Sequence, residues 1–205
     1  MDYRFERIYE LLRHRLRPGI MVYDMYQFEM EFLTEPVPRR IRAIAIPELN
    51  ILVFRYIPPD VRVFTHELIH LCRKPEADRI PEEIWAWNLV EIVLYAVEEN
   101  IKADPLKLFT LSEEQVNSVL RRYHFENIEE FYNTLGIIPV SHTVRVEDGR
   151  MVAIRRPEYP WTNVLVVFIA ELGGGLSWCG YCRMIIKDLL LEYCSVDEKE
   201  SYYEY

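Results

Sequence analysis

The stretch Val63-Phe64-Thr65-His66-Glu67-Leu68-Ile69-His70-Leu71-Cys72 decides how this chain of 205 residues is read. Its apolar residues recur at helical spacing, with Val61, Phe64, Leu68, Leu71 and Cys72 turned towards a core. On a helix His66 and His70 stand four residues apart, so both imidazoles leave one face a turn apart and can bind a single metal ion. Glu67 lies beside them, where it can reach a water at that ion. The plain alternative is a pair of surface or capping histidines on an ordinary amphipathic helix. Uncharged flanking positions and a strand pair immediately upstream favour the metal.

Working outward, Pro58-Pro59-Asp60 carries helix-opening chemistry and Pro75 ends the run, so a helix is expected from about Pro59 to Arg73. Pro81-Glu82-Glu83 opens a longer helix to about Asn100. Upstream, Ile41 to Ile46 and Leu49 to Tyr56 are β-branched and aromatic runs split by Pro47-Glu48, and both read as strands. Phe5, Ile8, Leu11, Leu12 and Leu16 give an amphipathic opening helix closed by Pro18-Gly19. Downstream, Ser112-Glu113-Glu114-Gln115 resembles a helix start, and a short helix fits Ile128 to Leu135 with Gly136 as its cap. Thr143 to Ile154 reads as a hairpin around Asp148-Gly149. The last third is helical by pattern, interrupted at Gly173-Gly174-Gly175, with a polar tail from Asp197. The fold class expected is α+β, divided into residues 1–105 as a core bearing the histidine helix and 106–205 as a mostly helical C-terminal part packed on it.

Through His66-Glu67-Leu68-Ile69-His70 and the order of elements around it, the chain resembles the gluzincin metallopeptidases. Among them the short minigluzincins and ImmA/IrrE-type proteins are the nearest in layout, and the likeness covers roughly residues 1 to 100. The resemblance implies a zincin-like fold in which a small β-sheet packs on the HExxH helix and a second helix bears a ligand. It further implies a catalytic Zn2+ with His66 and His70 as metal ligands, Glu67 as the catalytic general base, and a peptide or protein substrate. Metzincins are excluded, because Leu71 to Ile80 contain neither His nor Gly.

A catalytic zinc needs a third protein ligand and one position left for water. The second helix offers Glu82, Glu83 and Glu91. With the two helices taken as antiparallel, a rise of 1.5 Å per residue puts the ion about 9 to 10 Å from the joining loop. Glu91 starts about 15 Å up its helix and leans back to nearly that level, whereas Glu83 starts about 3 Å up and falls short. Glu91 follows His70 after twenty intervening residues, close to the spacing usual in gluzincins, and Asn88 stands one turn before it. Against it, Glu83-Ile84-Trp85-Ala86 looks like the Glu-x-x-Ala pattern of ImmA/IrrE-type proteins, which favours Glu83. Glu91 is therefore the expected third ligand and Glu83 the alternative.

Gluzincins usually add a Tyr or His donor for the developing oxyanion, and Tyr95, Tyr123, His124 and His142 are the candidates. The strand Leu49 to Tyr56 runs into the histidine helix, and its backbone edge is expected to pair with an extended substrate. Trp85, Trp87 and Tyr95 either line an apolar pocket or pack the core. Trp178-Cys179-Gly180-Tyr181-Cys182 resembles a thioredoxin-type motif, but too little chain follows it for that fold, so a structural disulfide or buried thiols are expected. The runner-up function is a catalytically inactive zinc-binding regulatory or interaction protein with a zincin-like fold, its site closed by Cys72, His124 or His142.

Composition bounds the partners. Twenty-four Lys and Arg against 33 Asp and Glu give a net charge of -9 and a pI near 5.2, which argues against broad binding to nucleic acid. The longest uncharged apolar run, near Trp161 to Ala170, is far short of the roughly 20 residues that span a bilayer, so no membrane partner is expected. The opening residues mix charges with aromatics instead of forming a secretory signal, and a cytoplasmic protein is expected. Glutamine occurs only at Gln27 and Gln115, a scarcity that hints at a thermophile, whereas the excess of 19 Arg over 5 Lys is no general marker of one. No residue pattern fixes an oligomeric state.

Overall fold

The computed structural model describes residues 3–72, 82–134, 143–147, 150–154 and 180–196. The chain divides into two units, Met1–Lys74 with Asp197–Tyr205, and Pro75–Val196. Both helix and sheet are present, with a small three-stranded mixed sheet and a predominance of helix, so the α+β expectation holds at that level. Among the described residues no helix is long and apolar enough to cross a membrane.

The first unit begins with α1 (Tyr3–Leu12), whose buried face carries Ile8 and Leu12. Gly19, at a φ of 78° that an L side chain rarely adopts, turns the chain into β1 (Met21–Asp24). Asp24 caps α2 (Met25–Phe32), its side chain accepting from Tyr26 N and Gln27 N. β2 (Ala43–Ile46) and β3 (Ile51–Phe54) then form an antiparallel hairpin, while β1 pairs with β3 in parallel. All four β3 side chains are buried, the pattern of a strand covered on both faces. Ile51 and Val53 meet Met25 and Phe28 of α2 on one face. By alternation Leu52 and Phe54 point to the other, where Phe54 lies 6.2 Å from Phe64 and Phe64 lies 4.9 Å from Phe5 of α1. Phe64 belongs to α3 (Val61–His70), the histidine helix, which packs on β2 and α1.

Helix α3 starts at Val61 because Asp60 supplies the cap, its carboxylate accepting from Arg62 N at 2.9 Å. β1 has no counterpart among the sequence expectations: four residues give two turns of alternation, too few to stand out. The role expected of Leu49 to Tyr56 is corrected. The sheet order is β1-β3-β2, so both edges of β3 are bonded and it has no backbone edge left for a peptide.

In the second unit α4 (Glu82–Glu98) buries Ala86, Leu89, Val90, Ile92, Val93, Tyr95, Ala96 and Val97, a helix apolar nearly all round. A 3-10 turn over Pro105–Thr110, capped by buried Asp104, leads to α5 (Glu113–Arg122). Ser112 and Gln115 form the capping box their spacing predicts, with Gln115 N donating to Ser112 Oγ and Ser112 N to Gln115 Oε1. α6 (Ile128–Thr134), the antiparallel pair β4 (Thr143–Glu147) and β5 (Arg150–Ile154), and α7 (Gly180–Tyr193) follow. Arg122 of α5 pairs with Asp188 and Glu192 of α7, and Arg183 and Lys187 of α7 pair with Glu99 in the turn after α4. The hairpin turn Asp148-Gly149, the cap Gly136 and the Gly173-Gly174-Gly175 break lie outside the described residues.

Candidate metal centre

Helix α3 buries five consecutive residues, Thr65, His66, Glu67, Leu68 and Ile69. At about 100° per residue that run passes once round the helix, so the middle of α3 is enclosed on every side. Leu68 and Ile69 suit such a place. Three polar side chains suit it only if their polar atoms are used. Thr65 answers locally, its Oγ1 donating to the Val61 carbonyl at 2.7 Å. His66 and Glu67 lie in the same buried turn, 6% and 9% exposed.

The helix brings His66 and His70 together as their spacing requires. Their Nε2 atoms stand 3.1 Å apart, and the rings are nearly perpendicular at 84°. Two imidazole nitrogens bound to one zinc at about 2.0–2.1 Å with tetrahedral angles stand about 3.3–3.4 Å apart. The observed 3.1 Å corresponds, for those bond lengths, to about 98° at the ion, so the pair fits a single metal. The same distance suits one Nε2–H donating to the other Nε2, since a proton and a metal compete for one set of lone pairs. His70 is half-buried and is the more open of the two. Cys72 is buried two residues on, its thiol against the Leu68 carbonyl at 3.6 Å.

The other expected site residues belong to the second unit. Glu91 lies at the middle of α4 and is half-buried. Glu83 lies in the first turn of α4, and its side chain, with those of Trp85 and Asn88, is outside the described set. Among the described residues no three His, Cys, Asp or Glu side chains form a metal-holding group. Tyr95 is 5% exposed and donates its hydroxyl to the Arg183 carbonyl at 3.1 Å, with the Arg183 guanidinium 4.8 Å over its ring. Tyr123 donates to Asp188 Oδ2 at 2.7 Å. Both hydroxyls thus tie α7 to α4 and α5. His124 follows α5 in a left-handed conformation, φ 64°, and His142 lies outside the described residues.

Trp87 is 48% exposed, whereas Tyr95 packs in the core, so the aromatics of α4 do not share one role. Cys72, Cys182 and Cys194 are buried, and Cys179 lies outside the described residues. Burial first, then the charge of Asp104, pushes the Cys194 thiol up to about 12, so it carries no thiolate near neutral pH. The polar residue that sequence reading missed is Asn117, buried in α5 beside Val116, Val119 and Leu120. Its signal was available: an amide on the apolar face of an amphipathic helix. Comparisons with protein-family models, curated proteins and solved structures find no match to this chain.

Proposed function

We propose that the chain is a cytoplasmic zinc-dependent peptidase of zincin-like fold, with His66, His70 and Glu91 holding Zn2+ and Glu67 as general base. The observation that carries this reading is the placement of His66 and Glu67 in the enclosed middle of α3, with the two histidine Nε2 atoms 3.1 Å apart. A histidine and a glutamate side by side in a buried helix turn are a pattern that metal chemistry employs. Zinc, when bound, supplies a Lewis acid that makes water a nucleophile near neutral pH and polarises a scissile carbonyl. His66 and His70 present Nε2 lone pairs to the ion, and Glu91, or Glu83 in its place, adds a carboxylate. Glu67 takes the proton of the attacking water and delivers it to the leaving amine.

Metal analysis and hydrolysis of a mixed peptide library, on the wild type and three variants, test this. Glu67→Gln is expected to keep its zinc and lose hydrolysis about a hundredfold to ten-thousandfold. His66→Ala is expected to lose the metal. Zinc retained in Glu67→Gln with unchanged hydrolysis overturns the mechanism, and zinc retained in Glu91→Ala moves the third ligand to Glu83. A zinc-loaded wild type that cuts no peptide is a regulatory binder.

A further inference from the structure

The second unit holds a cleft of about 390 Å3 between α5 and the start of α6, lined by Glu113, Asn117, Arg121, Glu126, Asn127 and Ile128. Its wall contains a buried polar group without a use. Asn117 is 7% exposed, and its Oδ1 has no hydrogen-bond partner. Buried amide oxygens are nearly always bonded, so an orphan at a cleft wall marks a missing donor. The charges around it point the same way. Among the described residues neither Glu113 nor Glu126 has an ion pair within 4.0 Å, while the one lining cation, Arg121, is engaged by Glu114 at 2.9 Å. Asn127 Oδ1 accepts from Glu130 N, and Glu130 Oε2 from Glu126 N, so the loop that carries Glu126 is held in place. The cleft therefore presents acceptors and net negative charge.

We propose that this cleft binds a guanidinium group, such as the head of an arginine side chain. A guanidinium offers five N–H donors in a planar fork, enough to serve a carboxylate through two bonds and still reach an amide oxygen. An ammonium has three donors about one point and serves separated acceptors less well. The volume admits the planar head with part of its aliphatic stem. The rival occupant is internal: Arg121 can leave Glu114 and turn its own guanidinium to Asn117 and Glu126.

The test titrates the full-length protein with N-acetylarginine amide, free arginine and the neutral citrulline counterpart of the first. It follows heat and the NMR signal of the Asn117 side-chain amide. Saturable binding of the arginine derivative is expected, with the citrulline compound about tenfold weaker or inert, since it keeps the shape and loses the charge. Glu126→Gln and Asn117→Leu are each expected to weaken it about tenfold. Glu126 is a surface position, so its variant remains informative even if Asn117→Leu misfolds. Equal binding of free arginine identifies a small-molecule ligand, and preference for the blocked derivative identifies an arginine within a peptide. Three outcomes overturn the proposal: equal binding of the citrulline compound, unchanged binding in a Glu113→Gln/Glu126→Gln double variant, or binding that arises only when Arg121→Ala empties the cleft.

Discussion

Tyr123 donates its hydroxyl to Asp188 Oδ2 at 2.7 Å, and its ionisation is pushed up to about 12 from the ordinary 10.0, by burial first and then by that bond and the Asp188 charge. The native state thus keeps a proton that the unfolded chain gives up, so this contribution to stability is whole below pH 10 and is lost as pH rises towards 12. Asp188→Ala removes the second and third causes but not the first. Ring-carbon NMR should then find the Tyr123 titration moved only part of the way back towards 10.0; an unmoved titration assigns the whole shift to burial. The same bond bears on the reading of Tyr123 as an oxyanion donor, because its hydrogen is committed within the second unit. Single residues were legible where spacing alone sets geometry. His66 and His70 meet because four residues make about one turn, whatever surrounds the helix. Tyr95, Tyr123 and Asn117 were not legible in this way, since their partners Arg183 and Asp188 lie far along the chain and the Asn117 cleft exists only once α5 and α6 are assembled.

Helix α3 opens with its carboxylate cap, Asp60, bonded to Arg62 N at 2.9 Å, and an acid there also faces the positive end of the helix dipole. Asp60→Ala should cost about 1 kcal/mol in urea unfolding, and Asp60→Asn should return most of it, because asparagine caps as well without the charge. An Asn variant as weak as the Ala variant would give the contribution to charge instead of the cap. Elements with strong local chemistry were readable: Pro58-Pro59-Asp60 before α3, Ser112 with Gln115 before α5, and the two β-branched runs that became β2 and β3. What local chemistry does not hold is strand order. The run Ile51-Leu52-Val53-Phe54 suits an edge strand with one face buried or a central strand with both buried, and the parallel partner β1 comes from residues 21–24, across a helix and a loop. The lack of alternation in β3 was the available sign of a centre position, since four consecutive apolar residues leave no polar face for water.

At the scale of the whole chain, metal and stability are linked by mass action. A ligand that binds the native state and not the unfolded one stabilises it by about 2.7 kcal/mol at a hundred times its Kd. For a chain of about 200 residues each kcal/mol moves the melting temperature by about 2–4 °C, so saturating zinc should raise it by about 5–11 °C. The increment should vanish on chelation and be absent in His66→Ala and His70→Ala, each of which removes one of the two facing nitrogens. Glu67→Gln should keep it, since that residue is proposed to move protons and not to bind the ion. A further variant at the enclosed middle of α3 gives a second comparison. His66→Leu, which replaces a side chain 6% exposed with an apolar one, should melt above the wild type without zinc and below it when saturating zinc is added to both, because only the wild type gains the increment. A crossing of that kind separates a histidine kept for binding from one kept for packing, because a packing residue replaced by leucine shifts both curves in the same direction. Melting curves of wild type and His66→Leu with and without zinc that fail to cross would remove the metal from the account of α3.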